Sequence, residues 1–263
     1  GSFGVTSIAL SPDAAFLYAV TMGGQVKRWA IDPATGALDV AGEEVFTPLG
    51  DFVVDPDDPV GGRRGFIGLA FDPGDPNVRW VSDNYPIPLV GKTSEIPDFT
   101  GRISKIELGA DGSLSDATIS PYVSGLPRSG GDHLVNSLAF RPNPAAGEAG
   151  EPDHLLYVTV GSNTAMGAPD NTWSFRPERL LSAAVLEIDP ERTAPPGGFD
   201  VTTEPLPDDG FSRRFVDADD DLKNGGIPIT SGAFFDPDEP RYLHFDADGV
   251  ASVRTGPEAT APL

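Results

Sequence analysis

Three pieces of one stretch decide the fold: SGGDHLVNSLAFRP at 129–142, HLLYVTVGSN at 154–163 and LLSAAVLEID at 180–189. Leu138-Ala139-Phe140 runs into Arg141-Pro142, a turn signal. Leu155 to Val160 is apolar, β-branched and aromatic, and it stops at Gly161. Ala184 to Ile188 is a third run, stopped by Asp189-Pro190. Short apolar runs punctuated by glycine and proline predict three antiparallel strands in a meander.

The same order of elements recurs elsewhere. Ile8 to Asp13 is followed by Phe16 to Val20, Gly23-Gly24 and Val26 to Ile31; Gly68 to Pro73 is followed by Val78 to Val81 and Ile103 to Leu108. The equivalent positions Leu10, Phe71 and Phe140 stand about 60–70 residues apart, longer than a minimal propeller blade of about 40–50 residues. A recurring multi-strand unit with inserted loops predicts an all-β β-propeller. A β-sandwich also has short strands and regular turns, but it does not require the order of elements to repeat. The repeats fall at about 5–47, 65–120 and 133–190. An irregular acidic segment follows at 191–231, then a possible partial blade at 232–263, where Phe234-Phe235-Asp236-Pro237 echoes the proline turn. Three to four blades in one domain spanning 1–263 make an incomplete propeller, so a further segment is expected to close it.

Among 263 residues there are 40 acidic and 18 basic side chains, for a formal net charge of −22. Such a surface repels phosphate backbones, which argues against nucleic-acid binding. No run reaches the ~18 apolar residues of a membrane span. The absence of cysteine excludes disulfides and thiolate-bound metals.

The loops carry the candidate chemistry. Arg63-Arg64 ends the loop DFVVDPDDPVGG, and adjacent arginines serve as surface ion-pair partners or as ligand contacts. Asp217, Asp219 and Asp221 alternate and could converge on Ca²⁺, which takes oxygen ligands. Leu222 and Pro228 depart from the helical calcium loop, so a plain acidic loop competes with that reading. Of three histidines, His154 and His244 fall in or beside predicted strands. His133 precedes a strand, beside Asp132, where a histidine can act as general base.

GLPRSGGDHLVNSLAF, LYVTVGSNTAMGAPDN and LLSAAVLEID resemble the soluble quinoprotein glucose/sorbosone dehydrogenase family. RRGFIGLAFDP is similar to its second-blade signature and TSIALSPDAAFLYAVTMGGQVKRW looks like its first blade, so the resemblance covers roughly residues 5–190. It implies a six-bladed propeller of the quinoprotein dehydrogenase type binding pyrroloquinoline quinone (PQQ), usually with Ca²⁺. It further implies an extracellular or periplasmic enzyme oxidising an aldose or related sugar. By the resemblance His133 takes the sugar hydroxyl proton, Arg64 contacts the sugar, and Asn136, Ser162 and Asn163 face the same channel mouth. Ser162 stands where the family's dehydrogenases often carry aspartate. Nothing in 191–263 matches the family's cationic quinone-holding segments. The alternative is a non-catalytic extracellular propeller module that binds carbohydrate or peptide, possibly stabilised by Ca²⁺.

Overall fold

A computed structural model describes residues 4–48, 64–85, 99–128, 133–163 and 179–203, together with the backbone of three short strands nearer the C-terminus. Its strands are β1 (Val5–Leu10), β2 (Phe16–Thr21), β3 (Val26–Ala30), β4 (Glu44–Phe46), β5 (Gly65–Phe71), β6 (Val78–Asn84), β7 (Gly101–Glu107) and β8 (Thr118–Leu126). They continue as β9 (Val135–Pro142), β10 (His154–Val160), β11 (Ala184–Ile188), β12 (Phe199–Asp200), β13 (Ile227–Pro228), β14 (Tyr242–Phe245) and β15 (Ala251–Arg254). No helix occurs among the described residues.

The strands form four sheets ordered β1-β2-β3-β4, β5-β6-β7-β8-β12, β9-β10-β11 and β13-β14-β15. Within the first three sheets consecutive strands pair antiparallel, as their punctuation predicts; the exception is β12, which runs parallel to β8. The opening strands of the three successive sheets, β1, β5 and β9, stand side by side. The result is an all-β, incomplete propeller-like array, and the sheets do not close on themselves among the described residues.

Each gap between sheets holds its own core. Between the first and second lie Tyr18, Val20, Val26, Phe66, Leu69, Val81, Ile106 and Leu114. Between the second and third lie Trp80, Ile103, Tyr122, Leu126, Leu138, Leu156 and Val158. The middle sheet is covered on both faces, so every residue of β6 is buried. At the edge of the array Ala9 packs inward, while Ile8 and Leu10 on the opposite face of β1 are 65% and 56% exposed. Edge-to-face contacts of Trp80 with Tyr122 and Phe140, and of Tyr122 with Phe199, tie the second core together; each such pair adds about 0.5–1.5 kcal/mol beyond its burial.

Polar groups fix the spacing between sheets. Thr6 Oγ1 donates to the Phe66 carbonyl at 2.8 Å, and Ser82 Oγ donates to the Asn136 carbonyl at 2.5 Å. The close approach of β5 to β9 requires Gly68, because a Cβ there would collide with that same Asn136 carbonyl. Farther along the strands Arg28 holds Glu44 through two hydrogen bonds at 2.8 and 3.0 Å, and also donates to the Gly112 carbonyl at 2.7 Å. That contact latches the first sheet onto the β7–β8 turn.

Several features differ from the sequence-based expectation. The second repeat extends through β8 to Leu126, beyond position 120, because the Asp111-Gly112 turn joins two full strands. The acidic segment is not irregular throughout: β12 adds to the second sheet and β13 pairs with β14. The expected aromatic strand Tyr242 to Phe245 forms and pairs with β15, whereas the proline turn at 234–237 lies outside the described residues.

Candidate active site at the strand ends

Strand reversal brings the chemistry-bearing residues to one end of the array. Arg64 precedes β5, Asp83 and Asn84 close β6, and Arg102 opens β7. His133 precedes β9, Ser162 and Asn163 follow β10, and Arg179 and Ser182 precede β11. In an antiparallel meander the starts of odd-placed strands and the ends of even-placed strands share an edge.

Asp83 is fully buried and is the charge centre of the second sheet. Its carboxylate accepts from Arg64 Nε, from Arg102 Nε at 3.1 Å and from Ser104 Oγ at 3.1 Å. Arg64 also donates through Nη2 to the Thr100 carbonyl at 2.6 Å. Burial lowers the Arg64 pKa; Asp83 opposes that shift and the second guanidinium, Arg102, reinforces it. Two guanidinium groups around one carboxylate leave a surplus of one positive charge, in a protein whose net charge is strongly negative.

Asn84 carries this centre across to the next sheet. Its Nδ2 donates to the Val135 carbonyl at 3.0 Å, and its Oδ1 accepts from the Val135 amide at 3.1 Å. This amide clamp fixes the start of β9, two residues after His133.

His133 is half-buried. Its Nδ1 lies 3.0 Å from the Ser162 carbonyl oxygen and 2.9 Å from Ser162 Oγ. A carbonyl oxygen can only accept, so the tautomer that satisfies it carries the proton on Nδ1 and leaves the ring's lone pair on Nε2. Gly161 makes this approach possible: a Cβ there would lie 2.7 Å from the Cβ of His133. The edge ladder runs on through hydrogen bonds from the Gly161 amide to Leu134 O and from the Ala183 amide to Gly161 O.

The turn before β11 is strained. Leu181 and Ala183 have φ of 72° and 48°, a region that costs non-glycine residues about 1–3 kcal/mol each. Between them the buried Ser182 hydroxyl donates to the Arg179 carbonyl at 2.6 Å and accepts from the Arg179 amide at 3.2 Å. The Arg179 guanidinium lies 5.9 Å from the Phe99 ring centroid, beside Thr100.

Of the residues expected from the sequence, His133 and Ser162 are brought into direct contact. Asn163 is buried beside them. Arg64 lies at the same edge and is ion-paired to Asp83. Asn136 is exposed, and its backbone carbonyl is the part that bonds across to β6. Asp217, Asp219 and Asp221 lie outside the described residues, among which no group of acidic or histidine side chains is placed to hold a metal ion. Asp83, Asn84, Arg102 and Arg179 were not anticipated; the signal for the first two is SDN closing the strand Val78–Asn84.

No protein-family model matches the chain, and neither does any curated protein sequence. The solved structures that align with it include an iodide and a calcium structure of Trichoderma reesei Carbohydrate-Active Enzymes Family AA12. Both are 14% identical, with TM-scores of 0.44 and 0.42, and the alignments cover 99% of this chain and 53% of each of those chains. The chain therefore spans about half the length of the structures it matches. These findings overturn the resemblance to the soluble quinoprotein glucose/sorbosone dehydrogenase family. The strings that suggested it, such as GLAFDP and LYVTVG, are strand-and-turn motifs that repeating β meanders need for physical reasons, and they do not identify one family. No helix among the described residues is long and apolar enough to cross a membrane.

Proposed function

We propose that the strand-end edge is an oxidoreductase site in which His133 removes the proton of a sugar hydroxyl as hydride leaves the adjacent carbon. The observation that supports this reading most is the anchoring of the imidazole at Nδ1 by Ser162; with the proton on Nδ1, the basic lone pair is on Nε2. A base oriented through its other ring nitrogen contributes about 10²–10⁴-fold to such a step. The Asn84–Val135 clamp and the Gly161 contact hold the ring in place.

Guanidinium groups suit carboxylates, and Arg64, Arg102 and Arg179 supply them at this edge, although Asp83 already engages the first two. A quinone such as PQQ would fit that donor chemistry and, when bound, supplies the hydride acceptor. The residues of this chain do the rest: Arg64 and Arg102 would hold the anionic rim, and His133 would accept the proton at Nε2. Calcium at Asp217, Asp219 and Asp221, and an extracellular or periplasmic location, accompany this reading.

The test is reconstitution with PQQ and Ca²⁺, followed by dye-linked oxidation of a panel of aldoses and polyols. The reading predicts turnover, a loss of at least ~10²-fold in His133→Ala, and partial retention in Ser162→Ala. Absence of both a quinone absorbance change and turnover would overturn it.

A further inference from the structure

A second candidate site lies away from this edge, where the chain leaving β11 crosses back over the second sheet. Residues 191–197 roof a pocket of about 480 Å³ whose floor is formed by Lys105, Ser120, Pro121 and Tyr122. That volume falls in the range of small-molecule pockets, roughly 300–1,000 Å³.

Lys105 gives the pocket its chemistry. Its ammonium lies 4.5 Å from the Trp80 ring centroid and 4.6 Å from that of Tyr122. It donates to the Pro190 carbonyl at 3.0 Å. An ammonium has three N–H donors, and Pro190 supplies the one hydrogen-bond acceptor that Lys105 meets among the described residues. No carboxylate among them comes within ion-pair distance of it. Burial lowers its pKa, against the pull of Asp72, Glu107 and Asp189. A cation half-removed from water with no ionic partner gains most from an incoming anion.

The walls support the same conclusion. Arg192 adds a second cation and is held over the Phe199 ring at 5.3 Å. Glu191, the one acid in the lining, is engaged by the Asp153 amide, from which its Oε1 accepts at 3.1 Å. Pro121, Pro195 and Pro196 add apolar surface to the lining. The Tyr122 hydroxyl ties the roof down by sharing its one proton between the Asp189 carbonyl oxygen at 2.6 Å and the Arg192 carbonyl oxygen at 3.0 Å.

We propose that this pocket binds a small molecule bearing an oxyanion, carboxylate or phosphate, with the Lys105 ammonium as its anchor and Arg192 at its rim. This is independent of the His133 chemistry.

The test combines calorimetry with chemical footprinting on the intact chain, using citrate, benzoate and inorganic phosphate as probes and chloride at matched ionic strength as the control. Reductive methylation of each lysine is mapped on peptides with and without probe. An oxyanion should slow labelling of Lys105 at least ~5-fold while leaving Lys27, a half-buried lysine ion-paired to Glu43 on the first sheet, unchanged, and Lys105→Met should weaken calorimetric binding at least ~10-fold. Citrate and benzoate against phosphate distinguishes the two anion types. Equal labelling of Lys105 in chloride and in all three probes overturns the proposal, as does unchanged affinity in a folded Lys105→Met variant. Because footprinting uses the wild-type chain, it decides the matter even if that variant does not fold.

Discussion

Asp83 is the residue whose removal should be felt most widely. Its carboxylate is fully buried and bonded to two arginines and a serine. Breaking a buried ion pair from one side costs about 3–5 kcal/mol, because the partners' charges are left uncompensated. Asp83→Asn should therefore lower the urea midpoint by that equivalent at an unchanged slope, whereas Arg102→Lys should cost less. His133 is legible in the sequence because few histidines occur and this one stands outside a strand. Asp83 is not, because an acid between Ser82 and Asn84 looks like a solvent-facing residue until its strand is known to lie in the middle sheet. Its partner Arg64 is visible only as half of an arginine pair, and its ion pair depends on how β5 is set against β6.

At the scale of elements, the meanders are readable because turn residues and period-2 patterning are local. What local pattern cannot supply is the spacing between sheets, which rests on small residues at crossing points. Gly68 meets the Asn136 carbonyl and Gly161 meets His133. Overpacking a tight contact costs about 1–3 kcal/mol. Gly68→Ala should destabilise by that amount in chemical denaturation. Gly161→Ala should additionally displace the His133 ring, so it should impair turnover more than its stability loss explains. Tyr122 gives the corresponding pH test. Burial raises its hydroxyl pKa from 10.0 to about 12, with Asp189 adding to the shift and Arg192 opposing it. The native state holds this proton more tightly than the unfolded chain, so its contribution is complete below pH 10 and is lost as pH rises towards 12. Thermal melts of wild type between those values should fall more steeply than those of Tyr122→Phe.

At the scale of the molecule, among the described residues the middle sheet is the one of the three side-by-side sheets with a core on both faces, and its neighbours rely on it. The short strand β12 belongs to this sheet in space, although it follows the third sheet in sequence. It pairs with β8 through Phe199 and Asp200, and the segment leading into it is pinned by Tyr122 and Lys105. The third sheet therefore cannot peel away alone, because the chain that leaves it is stitched into the sheet before it. Amide exchange in β8 and β10 should report a single shared opening event. Protease cuts in the 190–197 crossing should split that event into two, with β10 exchanging first.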